Sequence, residues 1–190
     1  MTPHMTDDLL NGGAVGATVW LTGLPSAGKT TIALTAAAEL RSAGHRTHIL
    51  DGDELRAHLT ADLGFSRRDR EENVRRIGYV AELLASHGVT VLVPVIAPYA
   101  DTRASVRERH EAAGTAYVEV HVATPVDVCA ARDVKGLYAR QARGELSGLT
   151  GVDDPYEPPA APDLRIPAHE QSRAESARAL VALLRKKGLA

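Results

Sequence analysis

Gly23-Leu24-Pro25-Ser26-Ala27-Gly28-Lys29-Thr30 fits the pattern G-x-x-x-x-G-K-T and is followed by Thr31. In such a run the glycines let the backbone turn tightly, so that successive N–H groups face one anion at the positive end of the helix that starts there. Lys29 can reach the β- and γ-phosphates of a triphosphate, and the Thr30 hydroxyl can ligate Mg2+. A second group is Asp51-Gly52-Asp53. Of two carboxylates beside a nucleotide, one can hold the hydration shell of Mg2+ and the other can take a proton from an attacking hydroxyl. Asp53 is equally suited to cap a helix containing Leu55 and Leu59.

A third group lies on a helix expected over residues 69–87. At 100° per residue, Val74, Ile77, Ala81 and Leu84 form one apolar stripe. Arg70 and Asn73 extend the same side at its N-terminal end, while Arg75 and Arg76 point elsewhere. Polar groups that prolong a core-facing stripe should line a cleft, where a guanidinium can grip phosphate or sulfate through paired donors. Arg56, three residues after Asp53, can face the same space. Phe65 is the sole Phe and lies in the polar segment Asp62-Leu-Gly-Phe-Ser66; stacking on a base and plugging the core both remain open. Lys135 is either an ammonium that closes over a transferring phosphate or an ordinary exposed lysine. Cys129 is alone, which excludes an intrachain disulfide and a thiolate metal cluster. The eight histidines show no metal-ligand spacing, and Ser26 has no sequence neighbour to activate it as a nucleophile.

These groups need a scaffold. Residues 18–22, 47–50, 89–96, 116–122 and 164–166 read as strands separated by helical pattern, including a helix from Lys29 to Ala43 that stops at Gly44. That alternation predicts an α/β fold with a parallel sheet built from βαβ crossovers and helices on both faces. Residues 1–16 read as a mobile leader, residues 17–190 as one domain, and residues 132–162, without a convincing strand, as a lid or a disordered stretch. The 190 residues carry 24 acidic and 22 basic side chains, a net charge of −2, with 44% hydrophobic residues. This is the composition of a soluble domain, and it argues against a nucleic-acid partner or a polybasic membrane anchor. No apolar run approaches the roughly 20 residues that cross a bilayer, and the N-terminus lacks a signal-peptide pattern, so a cytoplasmic location is expected.

With these pieces located, the chain resembles the adenylylsulfate kinase (APS kinase) family from about residue 17 onwards. The resemblance is carried by the phosphate loop, Asp51-Gly-Asp53 with Arg56, Asp62-Leu-Gly-Phe-Ser66 with Arg70, Glu72, Asn73, Arg75 and Arg76, then Pro98-Tyr99, Lys135-Gly-Leu-Tyr138 and Thr150-Gly-Val-Asp-Asp-Pro-Tyr156. It implies a P-loop kinase fold with a five-stranded parallel sheet, often dimeric. The implied reaction is MgATP-dependent phosphorylation of the 3′-hydroxyl of adenosine 5′-phosphosulfate (APS) to 3′-phosphoadenosine 5′-phosphosulfate (PAPS). On matching positions it implies that Gly23 to Thr31 hold ATP, that Arg132 lies against its adenine, and that Thr30 and Asp51 hold Mg2+. Lys29 and Asp53 would be catalytic, with Asp53 near the 3′-hydroxyl. Phe65 would stack on the substrate adenine opposite Leu149, and Arg56, Arg70 and Asn73 would hold the phosphosulfate. Ile96 and Ala97 would line the substrate side, and Lys135, Gly136 and Leu137 would close over both nucleotides. Three positions depart from the family pattern. Ala97 replaces a serine that some members phosphorylate, Leu149 replaces a stacking Phe, and Ala139-Arg-Gln-Ala-Arg143 is less basic than usual. These departures leave room for two other readings, a P-loop kinase for a different small hydroxyl and a nonenzymatic nucleotide-binding regulator.

Overall fold

The computed structural model describes residues 16–190. Five parallel strands form one sheet in the order β2-β3-β1-β4-β5, with β1 at Ala17–Thr22, β2 at Thr47–Ile49, β3 at Thr90–Pro94, β4 at Ala116–Val122 and β5 at Leu164–Ile166. Between them lie helices α1 (Lys29–Ser42), α2 (Gly52–Ala57), α3 (Arg67–Ser86), α4 (Ala100–Ala112), α5 (Val126–Arg132) and α6 (Leu137–Ala142), and α7 (Arg173–Lys186) follows β5. Every residue of β1 is buried. A strand covered on both faces carries apolar side chains on both, and β1 divides them by pleat. Val19 and Leu21 enter the core made with α1 and α7, where Ile32, Leu40, Leu180 and Leu184 lie. Trp20 enters the opposite core with Val74, Ile77 and Ala81 of α3 and Val106 of α4. Full burial of a Val, Leu or Ile side chain among these contributes about 1.5–3 kcal/mol.

The expected parallel sheet with helices on both faces is present, and the stripe of α3 faces the core as the angular argument required, apart from a partly buried Leu84. Strand β3 stops at Pro94, two residues before the expected end. Beyond it the backbone makes one more ladder bond, Val95 N donating to the Leu21 carbonyl at 3.1 Å, and Ala97 then enters the left-handed region at φ 43°. Gly16, assigned to the leader, is buried, and a Cβ there would meet the Ala85 carbonyl oxygen of α3; the rest of that leader lies outside the described residues. The 132–162 segment is better ordered than its composition predicts: it holds α6, a bridge between Thr150 and Asp154, and the buried side chains of Tyr138, Leu149 and Thr150.

The sheet order places the crossing point beside β1, because the chain runs from β1 out to β2, back to β3, and then past β1 to β4. Open parallel sheets bind ligands outside the carboxyl ends of their strands at such a point. The loops after β1, β2, β3 and β4 therefore meet at one edge.

Candidate functional site

The loop after β1 is shaped by backbone requirements. Gly23 lies so close to the Val122 carbonyl oxygen that a Cβ would stand 2.6 Å from it. Gly28 is the N-cap of α1 at φ 106°, offers no side-chain cap, and is followed by a first turn without an acidic residue. The first N–H groups of α1 therefore have no side-chain acceptor there, and with the helix dipole they form an anion cradle. Lys29 is 8% exposed, and its Nζ donates to the carbonyls of Gly23 (2.8 Å) and Leu24 (2.7 Å). Burial drives its pKa down to about 7, helped by Lys135 and opposed by Cys129, Asp53 and Asp51.

Thr30 Oγ1 donates to Asp51 Oδ2 at 3.2 Å, so a hydroxyl and a carboxylate oxygen stand together at the mouth of the cradle. This donor set suits Mg2+, which prefers oxygen ligands and keeps waters and phosphates in its shell. Among the described residues no group of three or more His, Cys, Asp or Glu could hold a metal ion, so a cation here would depend on phosphate oxygens as well. The helix cap is Asp51 and not Asp53: Asp51 Oδ1 accepts from Asp53 N at 3.0 Å. That frees the Asp53 carboxylate, which is 72% exposed and forms an ion pair with Lys135, itself 55% exposed.

Lys135 is brought in by a turn fastened to the phosphate loop. Val134 N donates to Ser26 Oγ at 3.3 Å, and Tyr138 Oη donates to the Pro25 carbonyl at 3.1 Å. The Asp133 carboxylate accepts from the N–H groups of Tyr138 and Ala139, both at 3.0 Å, and fixes the start of α6 around Gly136 and Leu137. Arg132 lies across the loop: its Nη1 reaches the Ala27 carbonyl at 3.4 Å and its Nη2 the Ala168 carbonyl at 3.0 Å.

A second patch adjoins α2. Phe65 is 70% exposed, which rules out the core-plug alternative. The guanidinium carbons of Arg56 and Arg70 stand 4.6 and 5.9 Å from its ring centroid. Arg56 donates to the carbonyls of Leu63 and Gly64, and burial followed by the charge of Arg70 lowers its pKa. Two cations beside an exposed ring suit an aromatic anion. Asn73 Oδ1 accepts from the buried Thr60 hydroxyl at 2.8 Å. Arg76 is directed away, forked onto Asp62 at 2.7 and 2.9 Å.

Arg70 differs from the free phosphate grip expected of it. It is 9% exposed and donates to the Phe65 carbonyl (2.8 Å), Thr150 Oγ1 (2.7 Å) and the Gly148 carbonyl (2.6 Å), with Asp154 Oδ2 at 3.5 Å. Much of its donor capacity thus anchors loop 148–154. Leu149 of that loop is buried in the α1–α7 core cluster, where it offers a ring little surface. Ile96 and Ala97 follow the end of β3; Ala97 is 4% exposed and packs in the Trp20 core cluster, and the Ile96 carbonyl accepts from Thr22 Oγ1 at 2.5 Å. Sequence reasoning gave no role to Thr22, Asp133, Tyr138 or Tyr156. Each acts through a contact tens of residues away or through a side chain bonding its own turn, for which no local pattern exists; the Tyr156 hydroxyl, 3.1 Å from Thr22 Oγ1, is an example.

Comparison with known proteins adds to this geometry. A family profile described as adenylylsulphate kinase matches residues 15–167. The adenylyl-sulfate kinase of Myxococcus xanthus is 49% identical over 178 residues, 94% of this chain and 96% of the relative. That of Chloroflexus aurantiacus is 51% identical over 171 residues, 90% of each chain. The solved structure of the Mycobacterium tuberculosis APS kinase in complex with AMPPNP and APS superposes with a TM-score of 0.87 at 46% identity, covering 90% of this chain and 98% of that one. With a matching profile over most of its length and relatives at about half identity, the chain belongs to the adenylylsulfate kinase family.

Proposed function

We infer that the chain is an APS kinase that transfers the γ-phosphoryl group of ATP to the 3′-hydroxyl of APS, giving PAPS and ADP. The observation that carries this reading is the meeting of Asp53 and Lys135, 82 residues apart, at the mouth of a cradle whose Thr30 and Asp51 already touch.

In this reading the main-chain N–H groups of Gly23 to Thr31 wrap the triphosphate, with Leu24, Pro25, Ser26 and Ala27 forming the turn and Arg132 lying toward the adenine. Lys29 exchanges the Gly23 and Leu24 carbonyls for phosphate oxygens. Thr30 and Asp51 hold Mg2+, which would neutralise charge developing on the phosphates. Phe65 stacks on the adenine of APS, and Arg56 and Asn73 face its phosphosulfate, with Arg70 holding loop 148–154 against the same patch. Ile96 and Ala97 form the floor, while Lys135, Gly136 and Leu137 close over both nucleotides as the working part of a lid. The 3′-oxygen forms a bond to the γ-phosphorus as the bond to the bridging oxygen breaks, its electron pair leaving on ADP. The hydroxyl proton passes to Asp53. Because phosphoryl transfer depends on positioning and charge stabilisation, Lys29 and the Lys135 turn supply most of what the protein contributes.

A cytoplasmic location belongs to the same reading, and among the described residues no helix is long and apolar enough to cross a membrane. A homodimer belongs to the same reading and is checked by sedimentation mass. ADP release measured with APS, adenosine nucleotides and sugar alcohols as acceptors tests the activity. APS should be preferred by orders of magnitude; turnover on another alcohol with none on APS would overturn the reading.

A further inference from the structure

Among the described residues three non-glycine residues have positive φ: Ser26 (61°), Ala97 (43°) and Asp133 (29°). All three stand in loops of the site, where backbone strain is held in place by surrounding contacts. Two of them carry a polar side chain that does the holding. Ser26 Oγ accepts from Val134 N, and the Asp133 carboxylate accepts from Tyr138 N and Ala139 N. Ala97 has no such group, and its hydrogen bond comes from elsewhere.

The donor is Arg103, in α4. It is 3% exposed, and all three of its nitrogens are used: Nη1 donates to the Ala97 carbonyl at 2.7 Å, Nη2 to the Glu157 carbonyl at 2.7 Å, and Nε to Glu119 Oε1 on β4 at 2.9 Å. A buried guanidinium needs a carboxylate, and Glu119 provides one. The two remaining arms go to neutral carbonyls at the carboxyl edge of the sheet, which charge balance does not require. Glu157 is tied as well to the residues that follow Ala97: Glu157 N donates to the Pro98 carbonyl at 2.9 Å, and Glu157 Oε2 accepts from Ala100 N at 2.7 Å. On the other side of the turn, Thr22 Oγ1 holds the Ile96 carbonyl and lies 3.1 Å from the Tyr156 hydroxyl.

We propose that Arg103 is a positioning residue for the acceptor nucleotide: its planar fork holds the Ile96–Ala97 turn and the 156–157 segment in the one arrangement that forms the floor of the APS site. The proposal rests on the reading of Ile96 and Ala97 as substrate-facing. A lysine cannot replace the fork, since one ammonium does not span two carbonyls and a carboxylate in that planar geometry.

Arg103→Lys keeps a cation beside Glu119, whereas Glu119→Gln keeps the fork and removes the charge pair. Steady-state kinetics and amide hydrogen exchange are measured on both variants. For Arg103→Lys the KM for APS should rise about tenfold, with the KM for ATP within twofold and kcat within threefold. Exchange at the Ala100 and Glu157 amides should quicken. Glu119→Gln should lower the melting temperature and leave both KM values in place. Equal changes in the two KM values, a fall in melting temperature with unchanged kinetics, or unchanged exchange at Ala100 and Glu157 in Arg103→Lys would each overturn the proposal. Should the wild-type protein fail to phosphorylate APS, the functional reading falls, while quickened exchange at those amides would still support the hold of Arg103 on the turn.

Discussion

Nucleotide binding should draw a proton onto Lys29, and the size of the effect follows from its surroundings. In the free protein burial lowers its pKa to about 7 while Nζ rests on two carbonyls of its own loop. At pH 8 only about a tenth of the lysine then carries its charge. A triphosphate in the cradle favours the ammonium and raises the pKa well above 8. On binding, Lys29 should therefore take up about 0.9 proton at pH 8, against about 0.1 for the same group at pH 6. Between those values the affinity attributable to this group should weaken about tenfold, equivalent to about 1.4 kcal/mol. Calorimetry of an inert ATP analogue in buffers of different ionisation enthalpy reads the proton count directly, and at pH 8 a phosphate with a pKa near 6 is already ionised. The same linkage acts on folding. Unfolded lysine titrates near 10.5, so between about pH 7 and 10.5 the unfolded chain binds more protons and this group's contribution to the stability of the free protein rises with pH. Zero proton uptake at pH 8, or proton release, would refute the buried-lysine account.

Other substitutions separate binding from stability. Phe65→Ala should leave the unfolding free energy nearly unchanged, because the ring is exposed, yet raise the KM for APS by about 5- to 150-fold through lost stacking, as steady-state kinetics will read. Arg70→Ala should destabilise by about 3 kcal/mol in urea unfolding, since it strips loop 148–154 of its anchor and leaves Asp154, whose Oδ2 is buried, without a cation. It should also raise the KM for APS more than that for ATP. Ser172→Ala breaks the capping box with Glu175 at the start of α7 and should cost about 1 kcal/mol in the same assay without altering either KM.

What could be read in advance was whatever the chain writes locally. The phosphate loop is eight consecutive residues, and the strand–helix alternation sets the sheet; the helical angle alone placed Arg70 and Asn73 at the head of a core-facing stripe. The capping role went to Asp51, whose Oδ1 accepts from Asp53 N two residues on; both acids of the pair suit a cap, and only the backbone at the helix start decides between them. Arg70 could be placed on its face of α3, but its partners could not be foreseen, since Thr150 is 80 residues away. Leu149 was expected at a ligand face and is buried, because loop 148–154 folds inward onto the α1–α7 core. The dependence of Ala97 on Arg103 appears only once the left-handed turn after β3 is seen.

The central claim is that one mouth holds both nucleotides, with Asp53 beside the acceptor hydroxyl. A crystal of the protein with APS and an inert ATP analogue tests this directly. The account predicts an Asp53 carboxylate oxygen within about 2.6–3.2 Å of the APS 3′-oxygen, and Phe65 stacked on its adenine. An APS molecule seated elsewhere, or Asp53 turned away from the ribose, would contradict it.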